Sequence, residues 1–517
     1  MKEKFTSTIA GASIFISLLM ILSRGLGFFR EMIFANNFGL EKDFDLYLVG
    51  AVLPVTINTI ILYIGQNFFV PAFQKVNLSS EEDSQKYYNQ AFILFIGFGI
   101  FLTLILYFLS DAVIDLYMHS ASMESRLIAK RIFQIFLLTI PFSTGISFFS
   151  ALLQTVFEFK YPSISVLFLN LSIIIMLLLF TNAMGIYVIP LGYLVGSILQ
   201  FFYLLIKSKN YFKLNIISHL KQFFKIKPVV GTSILVIILI ESIGQLYMIL
   251  DRYFYGSISS GGIASLNYAY IIYFLPISIF SLSLATVVFP KITKAITELS
   301  GKEMEKIYNE SISINILIFM PITFLLFYFG EPLVKLAFQR GKFNPESTQI
   351  TYNALKCYSV SIVFYSVYSV LNKIFYSINL AKIFLAITIG GMVLKLVLNF
   401  ILVEHYEQFG LALATSISYF FFFFISYLII NKKLKIENKS VFYKDFFVYL
   451  INCFVAYSIV IIVSNLLKDK NIIVEFILII IFVLVYFINL LLMKHKSLAL
   501  FESVLKKLNL NGLVKLS

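Results

Sequence analysis

Charged residues, cysteine and histidine are all scarce in this sequence, and each scarcity excludes a class of protein. Only 13% of the 517 residues are charged and 59% are hydrophobic, a composition too apolar for a soluble globular protein of this size. The two cysteines, Cys357 and Cys453, both lie in apolar runs, which argues against a disulfide framework or a metal cluster. The four histidines are scattered through connecting segments, so no metal site is expected.

Long apolar runs make up most of the chain. Runs of about 20 apolar residues are typical of transmembrane helices, whereas the strands of a membrane barrel would read as short alternating segments. The sequence therefore predicts an all-α polytopic membrane protein with about fourteen transmembrane helices. The first run continues past Arg30 without a small-residue cleavage site, so we interpret it as a span and not as a signal peptide. The predicted spans are 7–30, 46–74, 88–110, 131–157, 162–182, 186–207, 229–250, 264–290, 308–329, 350–378, 381–403, 409–431, 446–466 and 471–493.

The net charge of +14 is distributed unequally between the two sides of the predicted membrane. Outside the spans, about 26 Lys and Arg residues lie on the side of the N terminus and about 11 on the other side. The densest segments are 207–228, 432–444 and the tail from 494. The positive-inside rule then predicts a multi-pass protein of the bacterial inner membrane with both termini cytoplasmic. Attraction to anionic membrane lipids accounts for the charge, so nucleic acid is not expected as a partner.

The chain also resembles itself at an offset of 218–220 residues. The run S-A-L-L-Q-T-V-F at 150–157 resembles S-V-L-N-K-I-F-Y at 369–376, and Pro71 and Pro290 lie in similar runs. Because a six-span repeat inserts both copies in the same direction, we predict two six-helix lobes related by a pseudo-twofold axis along the membrane normal. The predicted divisions are 1–228 (N-terminal lobe with cytoplasmic linker), 229–445 (C-terminal lobe) and 446–517 (helices 13 and 14 with the tail).

Two arginines lie in or near the first span, where a charge is costly and needs a reason. Arg24 and Arg30 are six positions apart, or about 120° around a straight helix. Gly25 and Gly27 lie between them and permit a bend that would let both side chains reach one cavity. Since a guanidinium matches phosphate oxygens in pairs, the stretch favours an anionic, phosphate-bearing substrate. For Arg30, reaching out to the membrane interface is an equal alternative.

A second group of polar residues suits a cation. Lys395 and Asn399 share one face of span 11, Asp251 closes span 7 and Thr415 begins span 12. The carboxylate, amide and hydroxyl oxygens would suit a monovalent cation, Na⁺ or H⁺, as a coupling ion. The lysine ammonium would instead pair with Asp251 or compete for the cation position. No other cofactor is expected.

Several motifs resemble the start and the middle of the lipid II flippase family (MurJ/MviN), within the multidrug/oligosaccharidyl-lipid/polysaccharide exporter superfamily. They are S-R-G-L-G-F-F-R-E at 23–31, D-L-Y-L-V-G-A-V-L-P from Asp45, L-D-R-Y-F-Y-G-S-I-S-S-G-G-I-A-S-L-N-Y-A at 250–269, F-Q-R-G-K-F at 338–343 and F-G-L-A-L-A-T-S-I-S at 409–418. The resemblance implies a transporter and not an enzyme. Such a protein would move a polyprenyl-pyrophosphate-linked glycan, lipid II or a similar one, from the cytoplasmic to the outer leaflet by alternating access.

The resemblance also assigns residues. The family's basic residues in span 1 match Arg24 and Arg30, and its acidic residues match Asp45 and Asp251. We therefore expect Arg24, Arg30 and Asp45 to bind the substrate and Asp251 to belong to the cation site. The protein is expected to act as a monomer, with the lipid-linked glycan and membrane lipids as partners.

Two positions depart from the family pattern. Asn58 and Ile271 stand where family members usually carry arginines. We expect Asn58 to line the substrate site, with Lys373 or Lys395 supplying replacement charge, or the headgroup to be held differently. A lipid-linked oligosaccharide for a capsule or O-antigen is therefore the alternative substrate.

Other functions fit the residues less well. A cation-coupled drug exporter would have an acidic cavity, whereas the charges within these spans are mostly basic. A membrane enzyme acting on lipid-linked sugars needs clustered acids or histidines, and a polymerase needs a long external loop. The sequence offers neither.

Overall fold

The computed structural model describes residues 9–76, 81–119, 121–213, 239–240, 242–245, 247, 249–281, 290–296, 301–467 and 471–493. Regular secondary structure within these ranges is helical. The chain divides into two compact units: unit 1 is Met1–Ala264 with Arg340–Asn344, and unit 2 is Ser265–Gln339 with Pro345–Ser517. The predicted divisions at 228 and 445 stay predictions.

In unit 1, nine α-helices have both ends within the described residues, and short turns join them. They are α1 (Ile9–Phe38), α2 (Lys42–Ile64), α3 (Val70–Val76), α4 (Glu81–Phe108), α5 (Ser110–Tyr117), α6 (Met123–Leu137), α7 (Thr139–Thr155), α8 (Lys160–Met184) and α9 (Val188–Ser208). A π-helical turn, Gly65–Phe69, joins α2 to α3. The predicted span 131–157 is divided at Leu138, because Pro141 lacks an N–H and its ring crowds the carbonyl of Leu137.

The described helices of unit 2 begin at its boundary with unit 1. They are α10 (Gly262–Pro276), α11 (Gly301–Phe338), α12 (Pro345–Ser359), α13 (Ile362–Ser377), α14 (Ala381–Lys433), α15 (Ser440–Leu466) and α16 (Ile472–Leu492). A second π-helical turn, Ile277–Ser281, follows α10. Helix α14 is two helices joined at Glu407, whose φ is 47°. Helices α12 and α13 are bent by 47° relative to each other.

The described residues contain nine helices long and apolar enough to cross a membrane, or ten if α12 and α13 count as one span. Two of these stretches, Lys160–Ser208 and Ala381–Lys433, each hold two predicted spans. The break in the first lies at Gly185 and the break in the second at Glu407, both with positive φ. Most of the predicted span 229–250 lies outside the described residues. The all-helical membrane fold is thus confirmed, and the count of fourteen stays a prediction.

The same backbone geometry recurs at a constant spacing, as a duplicated chain would show. Three pairs of positive-φ residues lie 222 positions apart: Gly39 and Gly261, Phe157 and Asn379, Gly185 and Glu407. The predicted match of 150–157 to 369–376, at an offset of 219, is therefore wrong by three residues. Apolar helix faces repeat every three to four residues, so an alignment that has slipped by one turn scores almost as well.

A serine contact with each π-helical turn follows the corrected spacing. In unit 1, Ser147 donates to the carbonyl of Ile61 at 2.7 Å and lies against Gly65. In unit 2, Ser369, which is 222 positions later, lies 2.6 Å from the hydroxyl of Ser281. In each unit, a buried serine hydroxyl from a neighbouring helix therefore contacts the π-helical turn or the residues beside it.

Helices α15 and α16 pack on α11 through buried polar and aromatic contacts. The hydroxyl of Tyr486 donates to the carbonyl of Leu317 at 3.0 Å, and Asn452 donates to the carbonyl of Tyr486 at 2.9 Å. The rings of Tyr328 and Tyr457 stack with centroids 4.0 Å apart. These contacts make the last two described helices an integral part of unit 2.

Candidate substrate and cation sites

Arg30 lies inside unit 1, enclosed by side chains from three helices. Its Nη2 pairs with a carboxylate oxygen of Glu31 at 2.6 Å, and its Nη1 donates to Oδ1 of Asn170 on α8 at 3.2 Å. The guanidinium carbon lies 5.6 Å from the ring centroid of Phe34 and 5.5 Å from that of Tyr193 on α9. Only 16% of the Arg30 side chain is exposed. A guanidinium held between rings has a fixed direction, and a carboxylate counter-charge offsets part of the cost of burying it.

Arg24 has different surroundings, although it lies on the same helix. Helix α1 is unbroken from Ile9 to Phe38, so no break accompanies Gly25 and Gly27. Arg24 lies on the exposed surface of unit 1, whereas Arg30 is enclosed. A methyl group added at Gly25 would meet nothing within 4 Å, so packing does not require glycine there. The structure therefore does not place both guanidinium groups in one enclosed site.

Asp45 is fully enclosed and holds the start of α10. Its two carboxylate oxygens accept hydrogen bonds from the backbone N–H groups of Gly261, at 2.6 Å, and Ala264, at 2.7 Å. Only 1% of Asp45 is exposed. The carboxylate thus satisfies amide groups that a helix N-terminus leaves without partners, and its charge complements the helix dipole. Asp45 has a structural role in this arrangement.

Tyr255 lies near this carboxylate, in the 3₁₀ segment Leu250–Ser257. Burial, with the charges of Asp45 and Asp43 adding to it, raises the pKa of Tyr255 to about 12. The phenol is therefore neutral at physiological pH and packs in the core of unit 1.

The predicted cation residues of unit 2 are all buried. Lys395 is 1% exposed, Asn399 is fully buried and Thr415 is 4% exposed. Gly410 packs against Leu402, which sets the register of the two helices in α14. The Thr415 hydroxyl donates to the carbonyl of Leu411 at 3.0 Å, which leaves its oxygen lone pairs as acceptors.

The remaining predicted residues divide between the units. Asp251 is buried in unit 1, so its predicted pairing with Lys395 of unit 2 stays a prediction. Lys373 is half-buried on α13. No group of three or more His, Cys, Asp or Glu side chains in the described part of the chain is arranged to hold a metal ion.

Comparison with known proteins decides the family. The family model for the lipid II flippase MurJ matches residues 34–483. The chain belongs to the MurJ family. A relative from Borreliella burgdorferi, named as a probable lipid II flippase MurJ, is 26% identical over 426 residues, which cover 82% of this chain and 83% of that protein.

Solved structures agree with this assignment. A lipid II flippase MurJ in an inward closed conformation has a TM-score of 0.78 and 25% identity, covering 92% of this chain and 97% of that one. An inward-facing MATE family multidrug resistance transporter of the MOP superfamily has a TM-score of 0.66 and 16% identity, covering 83% of this chain and 99% of that one. The second likeness shows the fold alone. The predicted family and fold are confirmed.

The structure shows the environment of the two residues that depart from the MurJ pattern, Asn58 and Ile271. Asn58 donates from Nδ2 to the hydroxyl of Thr139 at 2.7 Å, so this amide joins α2 to the start of α7. Thr139 in turn donates to the carbonyl of Phe136. Ile271 is half-buried on α10. At Asn58, a contact between helices thus stands where the MurJ resemblance leads us to expect an arginine.

Sequence reasoning missed the residues that hold Arg30 in place. Asn170 is the single amide in the apolar run 163–180, and a lone polar group in a span is a signal that could have identified it. Tyr193 gave no such signal, because a tyrosine in a span is common at many positions. Only the packing of α1 against α8 and α9 shows that both residues contact the same guanidinium.

Proposed function

We propose that this chain is a flippase that moves lipid II, a polyprenyl-pyrophosphate-linked peptidoglycan precursor, from the cytoplasmic to the outer leaflet. The observation that carries the proposal is its membership of the MurJ family over residues 34–483. The chain is a transporter and not an enzyme, and it works by alternating access. Its site residues hold and release a headgroup, and no bond of the substrate is broken.

In this proposal Arg30 and Arg24 bind the pyrophosphate at different stages. Arg30 pairs with Glu31 at 2.6 Å, which balances its charge. A pyrophosphate carries more charge than Glu31 and offers paired oxygens, so it can exchange with that carboxylate on the guanidinium fork. Arg24, at the surface of the same helix, makes the earlier contact. Lys373 supplies further charge from unit 2.

A fixed ammonium takes the place of a mobile coupling cation in this chain. Lys395 is 1% exposed and lies one turn from Asn399 on α14. A buried ammonium one helical turn from an amide oxygen would take the position that a monovalent cation otherwise occupies. Asp251 is the carboxylate proposed to compensate it. Transport is then expected to be independent of Na⁺.

The charge distribution supports an orientation with both termini in the cytoplasm, and we propose that the protein acts as a monomer in the bacterial inner membrane. A reporter active only in the cytoplasm, fused after Ser517, should be active. A reporter active only outside should be inactive at the same position, and the reverse result would refute this orientation.

Complementation of a bacterium depleted of its own lipid II flippase tests the function. Cells that express this chain should survive the depletion, with peptidoglycan synthesis restored. An inserted and stable protein that fails to support growth would contradict the proposal.

A capsule or O-antigen oligosaccharide is the alternative cargo, favoured by Asn58 and Ile271 at positions where arginines are expected. Replacing both, as Asn58→Arg with Ile271→Arg, should shift the preference further towards lipid II if these positions select the substrate. An unchanged substrate profile would show that they do not.

A further inference from the structure

A recess of about 400 Å³ opens on the surface of unit 1 where α1 and α8 end. Its polar end is formed by Asn36, Asn182 and Arg340. Its wall includes Phe29 and Leu178, both with large exposed areas. Arg30 does not line this recess, so it is separate from the proposed substrate contacts.

The polar end has a fixed geometry. The backbone N–H of Lys342 donates to the carbonyl of Asn36 at 3.0 Å. Gly341 has a φ of 53°, and a Cβ at this position would lie 2.3 Å from the carbonyl oxygen of Asn36. This close packing ties the segment that carries Arg340 to the end of α1, and it requires a glycine. The guanidinium and the Asn36 amide are therefore held near each other by the backbone.

The apolar wall is exposed on the surface of unit 1. Leu178 is 67% exposed and Phe29 is 48% exposed, and apolar side chains of this size suit contact with an acyl chain. Asn182 lies one turn beyond Leu178 on α8, about 6 Å further along the helix axis. The polar end of the recess is thus offset from the apolar wall along the helix axis, as the phosphate of a phospholipid is offset from its acyl chains.

We propose that this recess binds a glycerophospholipid of the leaflet at which α1 and α8 end. Arg340 holds the phosphate through its fork of donors, the amides of Asn36 and Asn182 donate to the remaining headgroup oxygens, and one acyl chain lies along Leu178 and Phe29. A guanidinium beside an exposed apolar wall favours a ligand that carries both a phosphate and an acyl chain, which is a membrane phospholipid. The lining does not include Arg30, the proposed contact of the transported headgroup. The ligand is therefore distinct from the transported cargo.

Native mass spectrometry of the full-length protein, titrated with phosphatidylglycerol, tests the site. The wild type should retain bound lipid, and Arg340→Ala should weaken the affinity by on the order of tenfold, the usual effect of losing one charged hydrogen-bond donor. Arg131→Ala is the matched control, because Arg131 is an exposed arginine of α6 that does not line the recess. The affinity of Arg131→Ala for phosphatidylglycerol should be that of the wild type. Phosphatidylglycerol should also raise the melting temperature of the wild type more than that of Arg340→Ala.

Three results would overturn the proposal. An equal loss in Arg340→Ala and Arg131→Ala would mean attraction to surface charge in general. Unchanged affinity in Arg340→Ala would mean that the lipid binds elsewhere. Binding of farnesyl pyrophosphate that is lost in Arg340→Ala, with no binding of phosphatidylglycerol, would assign the recess to the cargo. If Arg340→Ala does not fold, Asn182→Leu replaces it, since Asn182 is exposed at the end of α8.

Discussion

Asn170 of α8 accepts a hydrogen bond from Nη1 of Arg30 at 3.2 Å, although 140 residues separate the two in the sequence. The contact fixes the direction of a guanidinium that also pairs with Glu31. A residue held from three sides within a membrane-embedded unit is costly to place there without a function. Arg30 is therefore the position at which substitution should be most informative.

Arg30→Ala should lower transport by on the order of 10- to 100-fold, since charged hydrogen bonds contribute about 1.5–3 kcal/mol. Arg30→Lys should retain part of the activity, because a point charge cannot form the paired contact with phosphate. Transport of lipid II into the outer leaflet of proteoliposomes measures both. Full activity of Arg30→Ala would remove this residue from the substrate pathway.

Arg24→Ala should abolish transport without loss of folded protein, because Arg24 is exposed on the surface of unit 1. Transport and the melting temperature are measured on the same preparation. Arg24→Lys should recover part of the activity. A parallel fall in melting temperature would show that the residue acts through stability, and wild-type transport would show that it does not act at all.

Asp45→Asn should destabilise the protein by about 1.5–3 kcal/mol, because the amide retains only one acceptor for the two N–H groups of Gly261 and Ala264. The thermal midpoint in detergent reports the loss. Asp43→Asn is the control, since Asp43 is exposed on the same turn of α2. Equal midpoints for the two variants would contradict the role of Asp45 at the start of α10.

Gly65→Ala should cost about 1–3 kcal/mol of stability through overpacking. A Cβ at Gly65 would lie 2.3 Å from the hydroxyl of Ser147 and 2.8 Å from its carbonyl oxygen. Gly97→Ala is the matched control in a neighbouring helix, where the added methyl meets nothing within 4 Å. That variant should be as stable as the wild type or slightly more so. A harmless Gly65→Ala would mean that the π-helical turn tolerates displacement.

Lys395→Ala should make transport dependent on Na⁺, because it removes the ammonium proposed to occupy the cation position. The wild type should transport equally well with Na⁺ or with a large organic cation in its place. Initial rates in vesicles at matched ionic strength separate specific dependence from screening. Na⁺ dependence of the wild type, unchanged in Lys395→Ala, would refute the fixed-cation proposal.

Much of the fold could be predicted because membrane insertion depends on composition. The apolar runs located the described spans to within several residues, and the short turn at Gly185 and the break at Glu407 fall between predicted spans. The repeat offset was harder. Two alignments that differ by one helical turn superpose nearly the same apolar faces, so the sequence match at 369–376 is off by three residues. The positive-φ residues give the offset of 222.

The candidate site was predictable only in part. A charge in a span is conspicuous in the sequence, which is why Arg30 and Lys395 stood out. Their surroundings depend on contacts across long sequence separations, such as Asn170 with Arg30, that no local pattern records. Asp45 shows the limit most clearly: its carboxylate looked like part of a substrate site, and it holds the backbone of Gly261 and Ala264.

The most direct test measures which side of the membrane lipid II reaches. Cells depleted of their own flippase and expressing this chain are treated with an externally added enzyme that cleaves lipid II and cannot cross the inner membrane. With the wild-type chain, the amount of cleavable lipid II should return to the level of undepleted cells. With Arg30→Ala, it should stay at the level of depleted cells. Lipid II that remains inaccessible in cells with folded, inserted wild-type protein would contradict the proposed function.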